Sequence, residues 1–134
     1  MSWTDAQTAC AGYGGNLASI ESADEQTAVQ GLVDGTDIWI GGNDITTDQD
    51  WSWKDGATWD YTNWWTNRPK NTTGQDCVKI KTTGLWDNVL CTKDLPYACQ
   101  KAIISTTNST TTSTRTSTTT SSTTSTTTSA FNRL

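Results

Sequence analysis

Chemistry in this chain has to come from oxygen, sulfur and indole, because the 134 residues contain no histidine. That removes imidazole acid–base catalysis, Ser-His-Asp and Cys-His nucleophiles, and zinc sites built on imidazole. Fourteen Asp and Glu side chains remain, with four cysteines and eight tryptophans, all of the latter before residue 87. Carboxylates and amides suit a hard cation such as calcium if they converge. No two carboxylates are marked as facing each other across a cleft, so no catalytic residue and no enzyme is expected. Exposed tryptophan stacks on sugars or anchors protein contacts, although core packing is the ordinary fate of any one indole.

The acids lie in one part of the chain. Residues 1–104 hold all 14 acids and seven of the nine bases, a net charge of −7. Nucleic acid needs a basic stripe and is not an expected partner. Residues 105–129 are Ser or Thr at every position but Asn108 and Arg115. Such a run has almost nothing apolar to bury against the entropy of ordering its backbone. The expected division is therefore a folded domain at 1–104 and a disordered, mucin-like Ser/Thr-rich tail at 105–134, O-glycosylated as a stalk. The last five residues, Ala130-Phe131-Asn132-Arg133-Leu134, carry no interpretable motif. Asn71-Thr72-Thr73 and Asn108-Ser109-Thr110 are N-glycosylation sequons. There is no apolar run of about 18 residues to span a membrane. The polar start Met1-Ser2-Trp3-Thr4-Asp5 is not a signal peptide, which suggests a chain beginning inside a longer protein.

Capping signals and turns mark the elements that must position these groups. Ser2 with Asp5, and Ser22 with Glu25, are helix starts. The first helix is closed by Gly12, Gly14 and Gly15, and the second runs to near Val33 before the turn Asp34-Gly35. Ile38-Trp39-Ile40-Gly41 is a buried strand. Residues 42–73 show no period, but their five tryptophans argue for an ordered functional loop rather than disorder. Residues 76–81 alternate as a half-buried strand, a turn at residues 84–88 leads into another, and residues 96–101 form a last one. Cys10, Cys77, Cys91 and Cys99 contain no Cys-x-x-Cys pair, so disulfides are favoured over zinc or dithiol redox chemistry; four cysteines allow three pairings. Disulfides imply a secreted or cell-surface extracellular protein.

Across residues 2–101 these segments, in order, resemble the C-type lectin domain family. The matching pieces are Ser2-Trp3-Thr4-Asp5-Ala6 with Cys10, Gly15-Asn16-Leu17-Ala18-Ser19-Ile20, Glu25, and Trp39-Ile40-Gly41-Gly42. They continue with Trp51-Ser52-Trp53-Lys54-Asp55-Gly56, Tyr61-Thr62-Asn63-Trp64, Gln75-Asp76-Cys77-Val78, Gly84-Leu85-Trp86-Asp87-Asn88, and Cys91 through Pro96-Tyr97-Ala98-Cys99. The resemblance implies an α+β, C-type lectin-like fold: two helices, two small antiparallel sheets, a long loop region, and disulfides Cys10–Cys99 and Cys77–Cys91. The family's first strand, which precedes the first helix and pairs with the last strand, has no counterpart here. An unpaired edge on the last strand is the expectation.

The resemblance also carries ligand sets. Sugar-binding members hold two sugar hydroxyls on a calcium ion. The positions matching its ligands are here Arg68-Pro69-Lys70, Gln75 and Asp87-Asn88. A cationic side chain about 4 Å from a divalent ion is repelled by roughly 2 kcal/mol even in water. The primary sugar-binding calcium is accordingly not expected. An auxiliary loop calcium is possible at the positions matching Asp44, Asp48, Asn71, Gln75 and Asp76, all bearing side-chain oxygens. Carbohydrate binding by a non-standard or calcium-independent site is the expected function. Trp64 and Trp65 would stack, and Asn67, Arg68, Lys70, Gln75, Asp87 and Asn88 would bind hydroxyls or an anionic group such as sulfate or sialate. The alternatives are a lectin-like domain binding an extracellular protein through the same loop, and a stalked surface domain whose tail sets the biology.

Overall fold

The computed structural model describes residues 1–112 and 119–134, with side-chain environments outside 103–128. Helix α1 (Trp3–Gly12) begins at Ser2, whose hydroxyl accepts from the Asp5 N–H at 3.2 Å. Helix α2 (Ala23–Gln30) begins at Ser22, which accepts from the Glu25 N–H in the same way. Glu25 reaches back, though to the N–H of Glu21 rather than to the cap residue itself. Helix α2 stops at Gln30, short of Val33. Leu32 and Val33 continue only in tighter three-residue turns onto Val29 and Gln30.

The strands are β1 (Asn16–Leu17), β2 (Ile38–Asn43), β3 (Ser52–Trp53), β4 (Cys77–Ile80), β5 (Trp86–Val89), β6 (Ala98–Thr112) and β7 (Thr119–Arg133). They form two antiparallel sheets, ordered β1-β6-β7 and β3-β2-β4-β5. Alternation in residues 76–81 predicts a half-buried strand, yet all four residues of β4 are buried. Strand β4 lies between β2 and β5, with Val78 and Ile80 in one core cluster and Cys77 in another, while Lys79 is covered by acids. Backbones approach so closely at Gly15 that an added Cβ would lie 2.2 Å from the Gln100 carbonyl oxygen.

Two clusters make the core. Trp3, Ala6, Leu17, Trp39 and Tyr97 gather around the Cys10–Cys99 disulfide. Ile20, Val29, Ile38, Ile40, Val78, Ile80 and Trp86 form the other, with Trp51, Trp59, Tyr61 and Trp64 packed on it from the long loop. The second disulfide is Cys77–Cys91, so both follow the implied pairing. With separations of 89 and 14 residues, the chain-entropy model gives roughly 4–5 and 3 kcal/mol respectively. Most buried indoles find an acceptor. The Trp3 N–H donates to the Ile40 carbonyl at 2.8 Å and that of Trp86 to the Gln26 side chain at 2.8 Å.

The end of the chain departs from the expectation. Strand β6 does not keep a free edge, and residues 130–134 do not trail away. Strand β7 pairs with β6 from Ala98↔Arg133 to Thr112↔Thr119. The physical reason is local: Phe131 packs on the core, and the exposed N–H and C=O groups of β6 gain partners. The mucin-like reading of the Ser/Thr run falls in part on residues 113–118, which lie outside the described residues.

Candidate functional site

The candidate site is the loop between β3 and β4, laid against β5. Residues 63–65 run beside β5: the Trp86 N–H donates to the Asn63 carbonyl at 2.9 Å, and the Trp65 N–H to the Trp86 carbonyl at 2.8 Å. The chain then turns at Asn67, which has φ 61°, a left-handed value that asparagine tolerates better than most residues. The Arg68–Pro69 peptide is cis. Asn88 of β5 pins the loop beyond this turn. Its side-chain oxygen accepts from the Lys70 N–H at 2.9 Å, and its amide donates to the carbonyls of Lys70 at 2.7 Å and Gln75 at 2.9 Å.

Beside Asn88 runs a buried chain of alternating charge. The Arg68 guanidinium pairs with the Asp87 carboxylate. The Lys79 ammonium is 4.0 Å from the other Asp87 oxygen and 2.5 Å from Asp37. Side-chain exposure is 15% or less for Arg68, Asp87 and Lys79. Burial pushes the Asp37 carboxyl up, but the Lys79 hydrogen bond, the Thr82 N–H and the charges of Lys79 and Lys81 outweigh it, and its pKa lies below the ordinary value. Two cations thus neutralise two carboxylates.

The sequence candidates separate in space. Asp87 and Asn88 are buried with their polar atoms engaged inside the protein, so they support the loop rather than face a ligand. Trp64 is half-buried, edge-on to Trp51 at 5.1 Å between ring centroids. Trp65 is 37% exposed, with the Lys81 ammonium 3.5 Å and the Arg68 guanidinium 5.1 Å from its ring. Asn67 and Lys70 are exposed, whereas Gln75 is half-buried and its main-chain carbonyl accepts from the Asn88 amide. Sequence reasoning missed Asp37, Lys79 and Lys81. Alternation in β4 marked Lys79 as outward, and nothing local reveals that Asp37, 42 residues away, covers it.

Two adjoining clefts open beside this loop. One, of about 150 Å³, is lined by Asp44, Gln49, Trp51, Pro69, Lys70 and Asn71. The other, of about 210 Å³, is lined by residues that include Asp44, Asp48, Asn71 and Asp76. Four of the five auxiliary-calcium candidates therefore meet in one cleft; Gln75 does not line it. Asp44 is the key member. It is 5% exposed, one oxygen accepts from the Gln49 N–H at 2.9 Å, and the other is buried without a hydrogen-bond partner among the described residues. Burial, then repulsion from Asp76 and Asp48, raises its pKa above the ordinary carboxylate value. An orphaned buried carboxylate oxygen among further acids fits a hard cation. Among the described residues no three His, Cys, Asp or Glu side chains close on one point, so a calcium ion here would also need amide or main-chain oxygens and water. Asn71 stands exposed at the rim of both clefts, and Asn108 lies where side chains are not described.

The Lectin C-type domain family matches residues 1–101. With the two helices, two sheets and two disulfides above, this places the chain in that family of binding modules. It is 38% identical over 105 residues to C-type mannose receptor 2 of Homo sapiens, which covers 75% of this chain but only 7% of that protein. It is 34% identical over 108 residues to the galactose-specific lectin nattectin of Thalassophryne nattereri, covering 75% of this chain and 68% of that one. Its fold superposes on a calcium-independent type II antifreeze protein with a TM-score of 0.71 and 32% identity, covering 74% and 77% of the two chains. Among the described residues no helix is long and apolar enough to cross a membrane.

Proposed function

We propose that this chain is an extracellular carbohydrate-recognition module that engages its glycan without the family's primary sugar-binding calcium. The observation that carries the reading is the internal use of that site's oxygens: Asp87 is paired with Arg68, and every polar atom of the Asn88 side chain is bonded to the loop backbone. A cation could recruit them only by breaking a buried ion pair and three hydrogen bonds, each costing about 1–3 kcal/mol. The groups left for a ligand are the exposed edge of Trp65, Asn67 and Lys70. An aromatic face beside cationic side chains suits a sugar carrying sulfate or sialate. The galactose-specific relative supports a glycan ligand, and the calcium-independent structural relative supports a family fold that works without the metal. The two disulfides support an oxidising, extracellular setting.

We further propose that Asp44, joined by Asn71, by Asp48 or Asp76, and by main-chain oxygens and water, holds an auxiliary calcium that orders the loop. Bound there, the ion would supply charge neutralisation to the carboxylates and leave glycan contact to the neighbouring residues.

The test is a glycan array of neutral, sulfated and sialylated glycans probed with the full chain, in calcium and in chelator. Binding retained in chelator and lost in Lys70→Ala is expected. Binding that Asp44→Asn keeps in calcium but that chelator abolishes would overturn the reading. A protein partner is favoured instead by the exposed Ile45 and Leu90, at 51% and 50%, near the same loop. Chelator-insensitive capture of a protein that no simple sugar competes would establish that alternative.

A further inference from the structure

The described end of the chain is held to the domain by several independent contacts. Tyr97 and Leu134 exchange both main-chain hydrogen bonds, with the Tyr97 N–H donating at 3.1 Å and the Leu134 N–H at 2.9 Å. Phe131, the sole phenylalanine, packs against the core cluster that contains Ala18, Ile20 and Ala98. The Asn132 amide donates to the Tyr13 hydroxyl at 2.7 Å, and the Gln100 amide to the Ser129 hydroxyl at 2.6 Å. Arg133 lies 3.7 Å from Asp34 on the turn after α2. These contacts reach the C-cap of α1, the turn after α2 and the core at once. On its other edge β6 is already paired with β1, so the segment fills the one edge that β1 leaves open.

We propose that residues 129–134 are a closing strand, an internal peptide ligand for the β6 edge supplied in cis, which ties the far end of the Ser/Thr run back to the domain. Ala102 stands directly opposite Ser129, and the same register continues to Thr112↔Thr119, so both ends of the run belong to the sheet. O-glycans on the run would then be carried beside the domain instead of spacing it from another body. Supplying the strand within the same chain gives it an effective concentration of about a millimolar, enough to hold a modest peptide contact closed.

The pairing also defines the decisive variant. Antiparallel pairs alternate between doubly hydrogen-bonded and non-hydrogen-bonded, so Ile103↔Thr128, six steps from the Tyr97–Leu134 pair, is of the bonded kind. Replacing residues 104–127 by Asn-Gly joins Ile103 to Thr128 through the two-residue turn that closes such a pair. Made in the full chain without other change, it is expected to keep a monomeric fold of equal or higher Tm. Phe131→Ala in the unshortened chain is expected to lower Tm by about 5–10 °C. Hydrogen exchange of the unaltered chain supplies a readout independent of any variant: slow exchange at the Leu134 amide is expected. Fast exchange at Leu134 with an unchanged Tm in Phe131→Ala would overturn the proposal. So would unfolding of the Asn-Gly chain, or a strand-exchanged dimer in place of the monomer. Should Phe131→Ala fail to fold, the Asn-Gly chain and the exchange rates decide the matter alone.

Discussion

The Arg68 guanidinium sits on the Asp87 carboxylate, 19 residues away in sequence, and the two end a buried series that continues through Lys79 to Asp37. Arg68→Ala therefore removes more than a surface charge. It leaves Asp87 buried with only Lys79 at 4.0 Å. A loss of about 3 kcal/mol in unfolding free energy is expected by denaturant titration. Arg68→Lys should recover only part of it, because an ammonium lacks the planar fork.

Calcium should act through Asp44. A titration is expected to raise Tm, equivalent to about 2.7 kcal/mol when calcium exceeds its dissociation constant a hundredfold. In Asp44→Asn the response should disappear while stability without calcium is kept or slightly raised, since repulsion from Asp76 and Asp48 is relieved. The sign of the shift sets the pH dependence. Asp44 has a folded pKa above 3.8, so without metal its ionisation weakens the fold as pH rises through that folded value. Calcium binds the ionised form. Its stabilising effect should grow through the same interval and vanish in acid.

Asp37 behaves in the opposite sense. Its folded pKa is below 3.8, so the stability it contributes is complete above 3.8 and is lost as pH falls through the folded value. Asp37→Asn should cost about 2 kcal/mol at neutral pH and flatten the acid limb of the stability curve below pH 3.8. Denaturant midpoints measured from pH 2 to 6 check this.

Trp65→Ala separates recognition from folding. The ring is 37% exposed, so unfolding free energy should change by less than about 1 kcal/mol. Glycan affinity should fall by about 30-fold, the loss of a binding anchor worth roughly 2 kcal/mol. Equal loss of stability and binding would mean that Trp65 serves the fold.

Two buried indoles should answer differently to the same change. Trp86→Phe strands the Gln26 oxygen that its N–H satisfies, whereas the Trp53 N–H has no partner among the described residues. Trp53→Phe should be the milder substitution by about 1–2 kcal/mol, measured by chemical denaturation.

The C-type lectin fold was legible in the chain because its determinants are local or serially ordered. Caps at Ser2 and Ser22, the apolar strand at Ile38 and the succession of tryptophan, glycine and cysteine pieces need only neighbours to be read. The resemblance to the family supplied the ligand positions, and residue type then made Arg68 and Lys70 unfavourable to a divalent ion and Asp44, Asp48 and Asp76 favourable. Which groups face solvent was another matter. Asp87 and Asn88 are drawn into the interior by Arg68 and by the Lys70 and Gln75 backbone, and Lys79 is covered by Asp37. The fate of residues 129–134 was hidden for the same reason. A lone phenylalanine after a polar run carries no periodic signal, and its place on the β6 edge exists only once β1 has taken the other side. Short-range propensity and pattern are properties of the sequence; pairing of charges and strand edges distant along the chain is decided by what the folded core brings together.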